Sequence, residues 1–316
     1  MKVLLAGATG AIGLPLLSAL AASGHEVIAL VRDPAKLHLV TERGAVAVRA
    51  DVLDREGLLR AVDGLAADAV MHQATALRDA PRRLTPADRT LALRVSGTEH
   101  LLAAARAVGA RRFVTQSLIT GYGYRDHGGR ILTEADPFGV RVGSVADLVT
   151  DASAATEEQV FSAAGIEGIA LRYGMFYGRN AFSDMFAALM RKRAPILPRG
   201  TTGTTSFVHV DDAAAAAVAA MERGRGGEAY NIVDDEPVSW REFLFEVARA
   251  HGTPRPVVAP QWVVRLAVPY LGHLLIDTTL RVSHAKATDE LGWSPSHRTL
   301  KDGLATACGP RPRGRR

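Results

Sequence analysis

The sequence predicts an α/β fold in which a doubly wound parallel sheet precedes a smaller region. Short β-branched or aliphatic runs alternate with longer helical patterns through residues 1–172, as parallel strands alternate with their crossover helices. A glycine-rich turn, Gly7-Ala8-Thr9-Gly10-Ala11-Ile12-Gly13, separates the first strand from the first helix. The 316 residues are 47% hydrophobic and 22% charged, which is typical of a folded globular protein and excludes general disorder.

Each element of the first half follows from local pattern, because β-branched residues favour strands and a three-to-four-residue apolar period favours helices. The predicted strands are Val3 to Ala6, Val27 to Val31, Ala45 to Val48, Ala69 to His72, Arg112 to Gln116 and Gly168 to Arg172. The predicted helices are Pro15 to Ser23, Ala35 to Arg43, Glu56 to Val62, Val95 to Val108 and Thr156 to Ala164.

Beyond residue 172 the alternation breaks into shorter elements. We predict helices at Phe182 to Arg191, Asp212 to Met221, Ser239 to Ala250 and Pro260 to Leu271, a strand at Phe207 to Val210 and a loop at Arg199 to Thr205. We therefore predict a sheet domain at 1–172 and a cap at 173–306, some of whose elements return to the sheet. Residues 307–316 are predicted to be a basic, disordered tail.

The positive charge of the chain is concentrated in that tail. The formal net charge is +5, but the last seven residues contain four arginines and no acid, which leaves 34 bases against 33 acids in the body. This balance argues against a nucleic-acid partner. Only five of the 38 basic residues are lysine, a bias we attribute to codon composition, so arginine richness is given no functional weight.

A cytoplasmic location is expected. The single cysteine, Cys308, cannot form an internal disulfide. The first strand reaches a glycine turn by Gly7, too early for the apolar core of a signal peptide. The longest apolar stretch, Val263 to Ile276, is interrupted by polar residues and a proline, so no membrane-spanning segment is predicted.

The glycine turn has the spacing and context of a dinucleotide-binding site. Gly7 permits the tight turn, Gly10 lets the backbone approach a pyrophosphate, and Gly13 lets helix and strand pack closely. The amino end of the helix adds free N–H groups and a positive dipole end. We predict that Gly7, Thr9, Gly10, Ala11 and Ile12 bind a dinucleotide; the alternative is a purely structural turn.

The end of the second strand favours NADP(H) over NAD. An NAD enzyme places an acid there for the ribose 2′-hydroxyl, whereas this chain has Val31 followed by Arg32, with Lys36 four residues on. An arginine and a lysine favour a 2′-phosphate. The alternative is that both are surface charges and that Asp33 binds the ribose.

Two further strand ends supply candidate cofactor contacts. Asp51 and Val52 follow the third strand and are predicted to reach the adenine. Gln73, Ala74 and Thr75 follow the fourth strand and are predicted to line the adjoining ribose. Each group could instead be a helix N-cap.

These residues resemble the extended short-chain dehydrogenase/reductase superfamily, in its NAD-dependent epimerase/dehydratase group. Besides the glycine turn, the resemblance is carried by Arg112-Phe113-Val114-Thr115-Gln116-Ser117, Ala170 to Gly178, Ser206 to Asp212, Gly227 to Ile232 and Leu291-Gly292-Trp293-Ser294-Pro295. It covers residues 1 to about 305. It implies a Rossmann-type fold, a nicotinamide cofactor, and cofactor contacts from Ser117, Tyr173, Gly174 and Met175.

The family's catalytic residues are missing from their expected positions. The family uses Ser or Thr with a Tyr-x-x-x-Lys pair, whose lysine lowers the pKa of the tyrosine phenol. No Tyr-x-x-x-Lys occurs in this sequence. The resemblance places the pair at Thr150 and Ala154, and the serine at Leu118, one residue after Ser117. No catalytic residue is therefore assigned.

Other polar residues are weaker candidates. Tyr122 and Tyr124 follow the fifth strand and are either substitute proton donors or packing residues. His209 with Asp211 and Asp212 suggests a dyad, or else the aspartates cap a helix and the histidine is packed. No metal site is predicted, because the histidines and carboxylates lack ligand spacing.

We predict an NADPH-dependent reductase that transfers hydride to a ketone of a bulky small molecule. The pattern resembles angucyclinone ketoreductases of aromatic-polyketide pathways, which also lack the triad. The apolar segment Trp262 to Ile276 is expected to floor a pocket, form a lid or pack in the core. The alternatives are an NADP(H)-binding sensor or scaffold without turnover, and a nucleotide-sugar epimerase or dehydratase. The resemblance also suggests a homodimer through helices near Val95 and Thr156.

Overall fold

The computed structural model describes residues 1–76 and 84–307. The strands are β1 (Lys2–Ala6), β2 (Glu26–Val31), β3 (Val46–Arg49), β4 (Ala69–His72), β5 (Arg112–Leu118), β6 (Asp126–Leu132), β7 (Glu167–Tyr173), β8 (Met175–Tyr177), β9 (Leu197–Pro198), β10 (Thr204–Thr205), β11 (Phe207–His209), β12 (Glu228–Ile232), β13 (Val238–Ser239), β14 (Val258–Ala259) and β15 (Thr279–Val282). The α-helices are α1 (Gly13–Ala22), α2 (Leu37–Thr41), α3 (Arg55–Val62), α4 (Arg89–Ala107), α5 (Asp147–Phe161), α6 (Phe182–Arg191), α7 (Val210–Arg223), α8 (Trp240–His251), α9 (Gln261–Ala267), α10 (Pro269–Gly272), α11 (Ala285–Leu291) and α12 (Leu300–Ala307).

A seven-stranded sheet forms the centre, in the order β12-β7-β5-β4-β1-β2-β3. All of its strand pairs are parallel. The order reverses direction between β1 and β4, and the carboxyl ends of these two strands flank the crevice where such sheets bind ligands. The predicted fold class is confirmed.

Helices cover both faces of this sheet. Successive residues of β1 point to opposite faces, so that Val3 and Leu5 join a core with α1, α7 and α11, whereas Leu4 and Ala6 join a core with α3, α4 and α5. The helices α1 and α4 therefore lie on opposite sides of the sheet.

The second half of the chain contributes to two layers. β12 completes the large sheet, while β13, β10, β15 and β6 form a separate four-stranded sheet. A third apolar core lies beside that small sheet and contains the stacked rings of Phe207 and Phe243, 4.5 Å apart, together with Trp240 and Phe186. This region adjoins the carboxyl ends of the large sheet through β8, which follows β7 directly.

Several predicted boundaries were wrong. α4 begins at Arg89 instead of Val95, because Asp88 caps it by accepting the amide hydrogen of the second residue after it. α5 begins at Asp147 instead of Thr156; no described side chain caps its start, and its start signal is the acidic Asp147 in the first turn. β5 continues to Leu118, and β10 lies within the segment predicted to be a loop.

Several strands were not predicted, among them β6, β12 and β15, and one helix is broken. β6 contains two glycines and pairs only with β15, at an edge. β12 and β15 are short runs whose sheet neighbours lie far away in sequence. The helix predicted over Pro260 to Leu271 stops at Ala267, because Pro269 cannot donate the next helical hydrogen bond.

Among the described residues, no helix combines the length and apolar character needed to cross a membrane. Cys308 and the rest of the predicted tail beyond Ala307 lie outside the described residues.

Candidate active site

The glycine turn closes against the end of β4. Gly7 has φ +89°, a left-handed conformation that side chains disfavour, and a Cβ there would collide with the backbone of Gln73. A Cβ on Gly13 would collide with the carbonyl oxygen of Gly7. The amide of Gly10 donates to that same carbonyl, at 3.0 Å. Gly7 and Gly13 are therefore required by the turn itself.

The outer side of the turn fits a dinucleotide diphosphate. A Cβ on Gly10 would meet only the Gly7 carbonyl oxygen, at 3.2 Å, so that this glycine leaves the approach from outside open. Thr9 and Ala11 are partly exposed, and Ile12 precedes α1 without a side-chain cap. The first turn of α1 has no acidic residue. The amide of Leu14 donates to the Gly10 carbonyl at 3.3 Å. The positive dipole end of a helix that carries no acid in its first turn is suited to phosphate.

The end of β2 presents one cation without a hydrogen-bond or ion-pair partner among the described residues. Lys36 Nζ lies 3.6 Å from the Asp33 carboxylate, which also accepts the amide hydrogen of Ala35 at 3.1 Å. Asp33 is thus already engaged with Lys36 and its own turn. Arg32 is exposed and makes no hydrogen bond or ion pair within residues 1–76 and 84–307.

Asp51 forms an ion pair with Arg89, a residue from a distant part of the chain. Arg89 Nη2 lies 2.7 Å from Asp51, and the Leu53 amide donates to it at 3.1 Å. Burial acts to raise the pKa of Asp51, but this amide and Arg89 outweigh burial and lower the pKa. Asp51 is not a helix N-cap, since Asp54 caps α3; the neighbouring Val52 is buried.

The residues that follow β4 are hydrogen-bonded to residues of β5 and β7. Gln73 is buried and its Nε2 lies 3.5 Å from the Tyr173 hydroxyl, at the end of β7. Gln116 of β5 donates to the Ala74 carbonyl at 3.1 Å. Thr75 is half-buried beside them.

The expected nicotinamide end lies at the carboxyl ends of β5 and β7. Ser117 is fully buried, and its hydroxyl has no hydrogen-bond partner within the described part of the chain. Burial raises the pKa of Tyr173 far above its ordinary value, so its phenol stays protonated. A Cβ on Gly174 would lie 2.8 Å from the Ser206 carbonyl oxygen, and Met175 is buried in β8.

The hydroxyl of Tyr122 is hydrogen-bonded to two other side chains of the protein. It donates to Asn231 Oδ1 at 2.9 Å and accepts from Arg172 Nη1 at 3.0 Å. Burial raises the pKa of Tyr122 to about 12 against the opposing effect of Arg172. Both hydrogen bonds are internal to the protein, which favours the packing interpretation over proton donation.

Tyr124 pairs with a second tyrosine. Its hydroxyl lies 2.7 Å from that of Tyr270; Tyr124 is buried and Tyr270 is half-buried. Burial raises the pKa of both phenols, while Arg94 acts to lower it. Tyr270 comes from the apolar segment Trp262 to Ile276, which is broken at Val268; its Leu274 and Leu275 pack in the third core, whereas Trp262 is largely exposed.

Small residues of α5 stand at the two positions where the resemblance predicts the family's tyrosine and lysine. Thr150 is fully buried, and its hydroxyl has no partner among the described residues. Ala154 is half-buried beside Gly139, where a Cβ would lie 3.1 Å from the Ala154 Cβ. Leu118, at the serine position, is half-buried at the end of β5.

His209 and its neighbours form a cluster that spacing alone did not reveal. Ligand atoms of His209, Asp212 and His297 lie within 4.8 Å of one another, an arrangement that could hold a metal ion. The Asp212 carboxylate already accepts the amide hydrogens of Ser296 and His297. His209, not an aspartate, caps α7, by accepting the amide hydrogen of Asp211 at 3.3 Å. We assign the cluster to loop anchoring.

Comparison with known proteins identifies related chains. The model of the NAD dependent epimerase/dehydratase family matches residues 3–233. A 3-diazoavenalumate denitrifying reductase from a Streptomyces species is 40% identical over 96% of this chain and 99% of its own length. The 4-hydroxy-2-methyl-3-oxo-4-farnesyl-3,4-dihydroquinoline-1-oxide ketoreductase of Stigmatella aurantiaca is 30% identical over 87% of this chain and 80% of its own. The solved UDP-glucose 4-epimerase of Thermus thermophilus, in complex with NAD, superposes with a TM-score of 0.76 at 25% identity over 98% of both chains.

The relatives named as reductases support an NAD(P)-dependent oxidoreductase. Epimerases share its fold. The Thermus enzyme binds NAD, and the comparisons do not distinguish NAD from NADP(H).

Proposed function

Because this chain belongs to the NAD dependent epimerase/dehydratase family, we propose that it is an NADPH-dependent reductase of a small aromatic molecule that works without the Ser-Tyr-Lys triad. One observation carries the proposal. Thr150 and Ala154 stand where the resemblance predicts the family's tyrosine and lysine, in a chain that also carries the glycine turn.

The cofactor would be held by residues already described. Gly7, Gly10 and the amino end of α1 would bind the diphosphate, and Arg32 would bind the 2′-phosphate. Ser117 and Gly174 would lie along the nicotinamide. The reduced nicotinamide supplies a hydride when bound. Because Lys36 is paired with Asp33, Arg32 is the main determinant of NADPH preference.

The missing acid favours a substrate that needs no proton on an oxygen atom. An aryl diazonium ion is a cation, and addition of a hydride to its terminal nitrogen gives a neutral aryldiazene. The aryldiazene releases N₂ as its N–H proton moves to the ring carbon, so that charge and atoms balance without a side-chain acid. The Streptomyces relative is named for a diazo substrate and for denitrification, which supports this class.

A ketone of a bulky molecule, such as an aromatic polyketide, is the second candidate substrate. Its alkoxide requires a proton, and loss of a general acid typically costs ~10²- to 10⁴-fold in rate. Tyr124 and Tyr270 keep protonated phenols and could donate one. The Stigmatella ketoreductase supports this class. A substrate phenol beside the carbonyl would stabilise the alkoxide instead.

The two classes are separated by following NADPH absorbance with 4-hydroxybenzenediazonium and with a panel of aromatic ketones and quinones. We expect one N₂ released per NADPH oxidised, above the rate of a mixture without protein. If ketones react instead, Tyr124→Phe should lower kcat. A parallel series with NADH tests the coenzyme preference.

Two results would contradict the proposal. Tight NADPH binding with no oxidation across the panel would favour a sensor or scaffold. Conversion of UDP-glucose without net NADPH consumption would favour an epimerase or dehydratase.

A further inference from the structure

Arg94 is a buried cation without a counterion among the described residues. The residue lies on α4 with 2% of its surface exposed, and none of its three guanidinium nitrogens has a hydrogen-bond partner within residues 1–76 and 84–307. Burying a charge without a partner is strongly unfavourable. Arg172, which is similarly buried, shows the usual solution, since it pairs with Glu157 and bonds to Tyr122. Arg94 therefore requires an explanation of its own.

The backbone around Arg94 is firmly held. Its carbonyl oxygen accepts a hydrogen bond from the Thr98 hydroxyl within α4 and a second from the Thr156 hydroxyl, which ties α4 to α5. The preceding carbonyl, of Leu93, bonds to the ring of His72, the last residue of β4. Arg94 is thus fixed near the carboxyl end of β4, on the opposite face of the sheet from α1 and the phosphate turn.

The groups around the guanidinium are neutral. Burial lowers the pKa of His72 to about 4, with Arg94 adding to the effect, so His72 is uncharged at neutral pH. Tyr124 and Tyr270 stay protonated, because burial raises the pKa of both phenols. One of the two hydroxyls donates its hydrogen to the other, so the accepting hydroxyl can donate its own hydrogen to a further acceptor. Among the described residues no carboxylate bonds to Arg94, whereas the Asp88 carboxylate acts on Tyr270 and helps to raise the pKa of its phenol.

We propose that Arg94, with the Tyr124–Tyr270 pair, binds the carboxylate of the substrate, an inference that rests on the proposed reductase function. Arginine forms two parallel hydrogen bonds to a carboxylate, and a phenol adds a third donor. The site would restrict the enzyme to aromatic acids that carry their reducible group away from the carboxylate. The Streptomyces relative is named for a carboxylate substrate, which is consistent with this restriction.

The experiment measures binding to the NADP⁺-saturated full chain by calorimetry. The probes are benzoate, 4-hydroxybenzoate and 4-hydroxycinnamate, each compared with its methyl ester. We expect at least one acid to bind at least about tenfold more tightly than its ester. Arg94→Met should remove that preference, and Arg94→Lys should keep part of it. Arg106→Met, which removes an exposed arginine from the same helix, should leave it unchanged.

A second readout separates binding from a structural role. Removing an unpaired buried charge should leave the melting temperature unchanged or raise it, and NADP⁺ affinity should stay the same. The inference is overturned if every acid binds no more tightly than its ester, or if Arg94→Met leaves the acid preference intact at any melting temperature. Failure of NADP⁺ to bind the unmodified protein would instead overturn the proposed function.

Discussion

Arg172 Nη2 lies 2.7 Å from Glu157 Oε2 in an ion pair that is buried between β7 and α5. Arg172 also packs over the Phe138 ring, with 3.7 Å between its guanidinium carbon and the ring centroid. Burial acts to lower the pKa of Arg172, but the bonds and charge of Glu157 outweigh it and raise the pKa. The pair joins the central sheet to the helix that carries positions 150 and 154.

Breaking this pair should be costly. Glu157→Gln should lower the free energy of unfolding by about 3 to 5 kcal/mol, because it leaves the Arg172 charge buried and unpaired. Urea denaturation gives the value. Glu158→Gln, at the exposed neighbouring position, should change it by less than about 0.5 kcal/mol. Equal effects of the two substitutions would show that the pair is not stabilising.

Tyr122→Phe tests the anchoring role of the Tyr122 hydroxyl. The variant should lose about 1 to 3 kcal/mol of stability, because Asn231 and Arg172 each lose a buried partner. Turnover per folded molecule should be unchanged with any substrate that the unmodified protein reduces. Thermal unfolding and NADPH oxidation measure the two quantities. A large loss of turnover with normal stability would reassign Tyr122 to proton transfer.

The two later glycines of the turn should respond differently to alanine. Gly10→Ala should keep the fold within about 1 kcal/mol, since its new methyl meets a single atom, yet it should weaken NADPH binding at least about tenfold. Gly13→Ala should destabilise the protein by about 1 to 3 kcal/mol or more, because its methyl collides with backbone. Calorimetry and thermal unfolding distinguish the two. Normal coenzyme affinity in Gly10→Ala would argue for a structural turn.

Arg32→Ala should weaken NADPH binding selectively. Loss of a hydrogen bond to a charged group costs about 1.5 to 3 kcal/mol, or roughly 10- to 100-fold in Kd. NADH affinity should be nearly unchanged. Arg60→Ala, which removes an exposed cation paired with Glu56, is the control and should affect neither coenzyme. If Arg32→Ala weakened both coenzymes equally, the 2′-phosphate would not be its ligand.

The buried carboxyl of Asp234 should make the stability of the protein depend on pH. Burial, with smaller contributions from Asp235 and Glu236, raises the pKa of Asp234 to about 8, although the backbone of Glu236 and Phe207 acts to lower it. The folded protein therefore keeps a proton that the unfolded chain loses above its ordinary pKa of 3.8. Stability should fall as pH rises from about 4 to 8, at up to about 1.4 kcal/mol per pH unit. Asp234→Asn should remove this decline in urea denaturation.

The neighbouring Asp235 is the matched control, because its pKa is shifted in the opposite direction. Burial acts to raise its pKa, but Arg298 and His284 outweigh burial and lower it. The stability that ionised Asp235 contributes is present above the pKa that the group has in the unfolded chain, and it is lost in acid. Asp235→Asn should therefore lower stability at neutral pH and leave the decline between about pH 4 and 8 in place. Loss of that decline in Asp235→Asn would contradict the assignment to Asp234.

The parts of the fold that the sequence predicted are local in origin. The turn from Gly7 to Gly13 and the β1–α1 unit depend on contiguous residues, and the alternation of elements predicted the large sheet. Pairings between distant residues were not predictable in this way. Asp51 meets Arg89 across 38 positions, and β12 joins the sheet beside β7 from the second half of the chain.

Arg94 was missed for a related reason. The predicted helix begins at about Val95, which leaves Arg94 outside it, and arginine carries no weight in so arginine-rich a chain. What distinguishes Arg94 is visible only in the folded structure, where its guanidinium is buried away from water and has no hydrogen-bond partner among the described residues. Tyr270 was likewise hidden within an apolar segment whose break at Pro269 sets its position.

The pairing of β12 with β7 has a consequence for how this protein can be divided. A fragment ending at residue 172 would expose an open hydrogen-bonding margin on β7 and the apolar surface that α7 covers. Such a fragment should aggregate instead of behaving as an autonomous coenzyme module. Changes in substrate range are accordingly easier to introduce by remodelling loops than by exchanging whole halves between related chains.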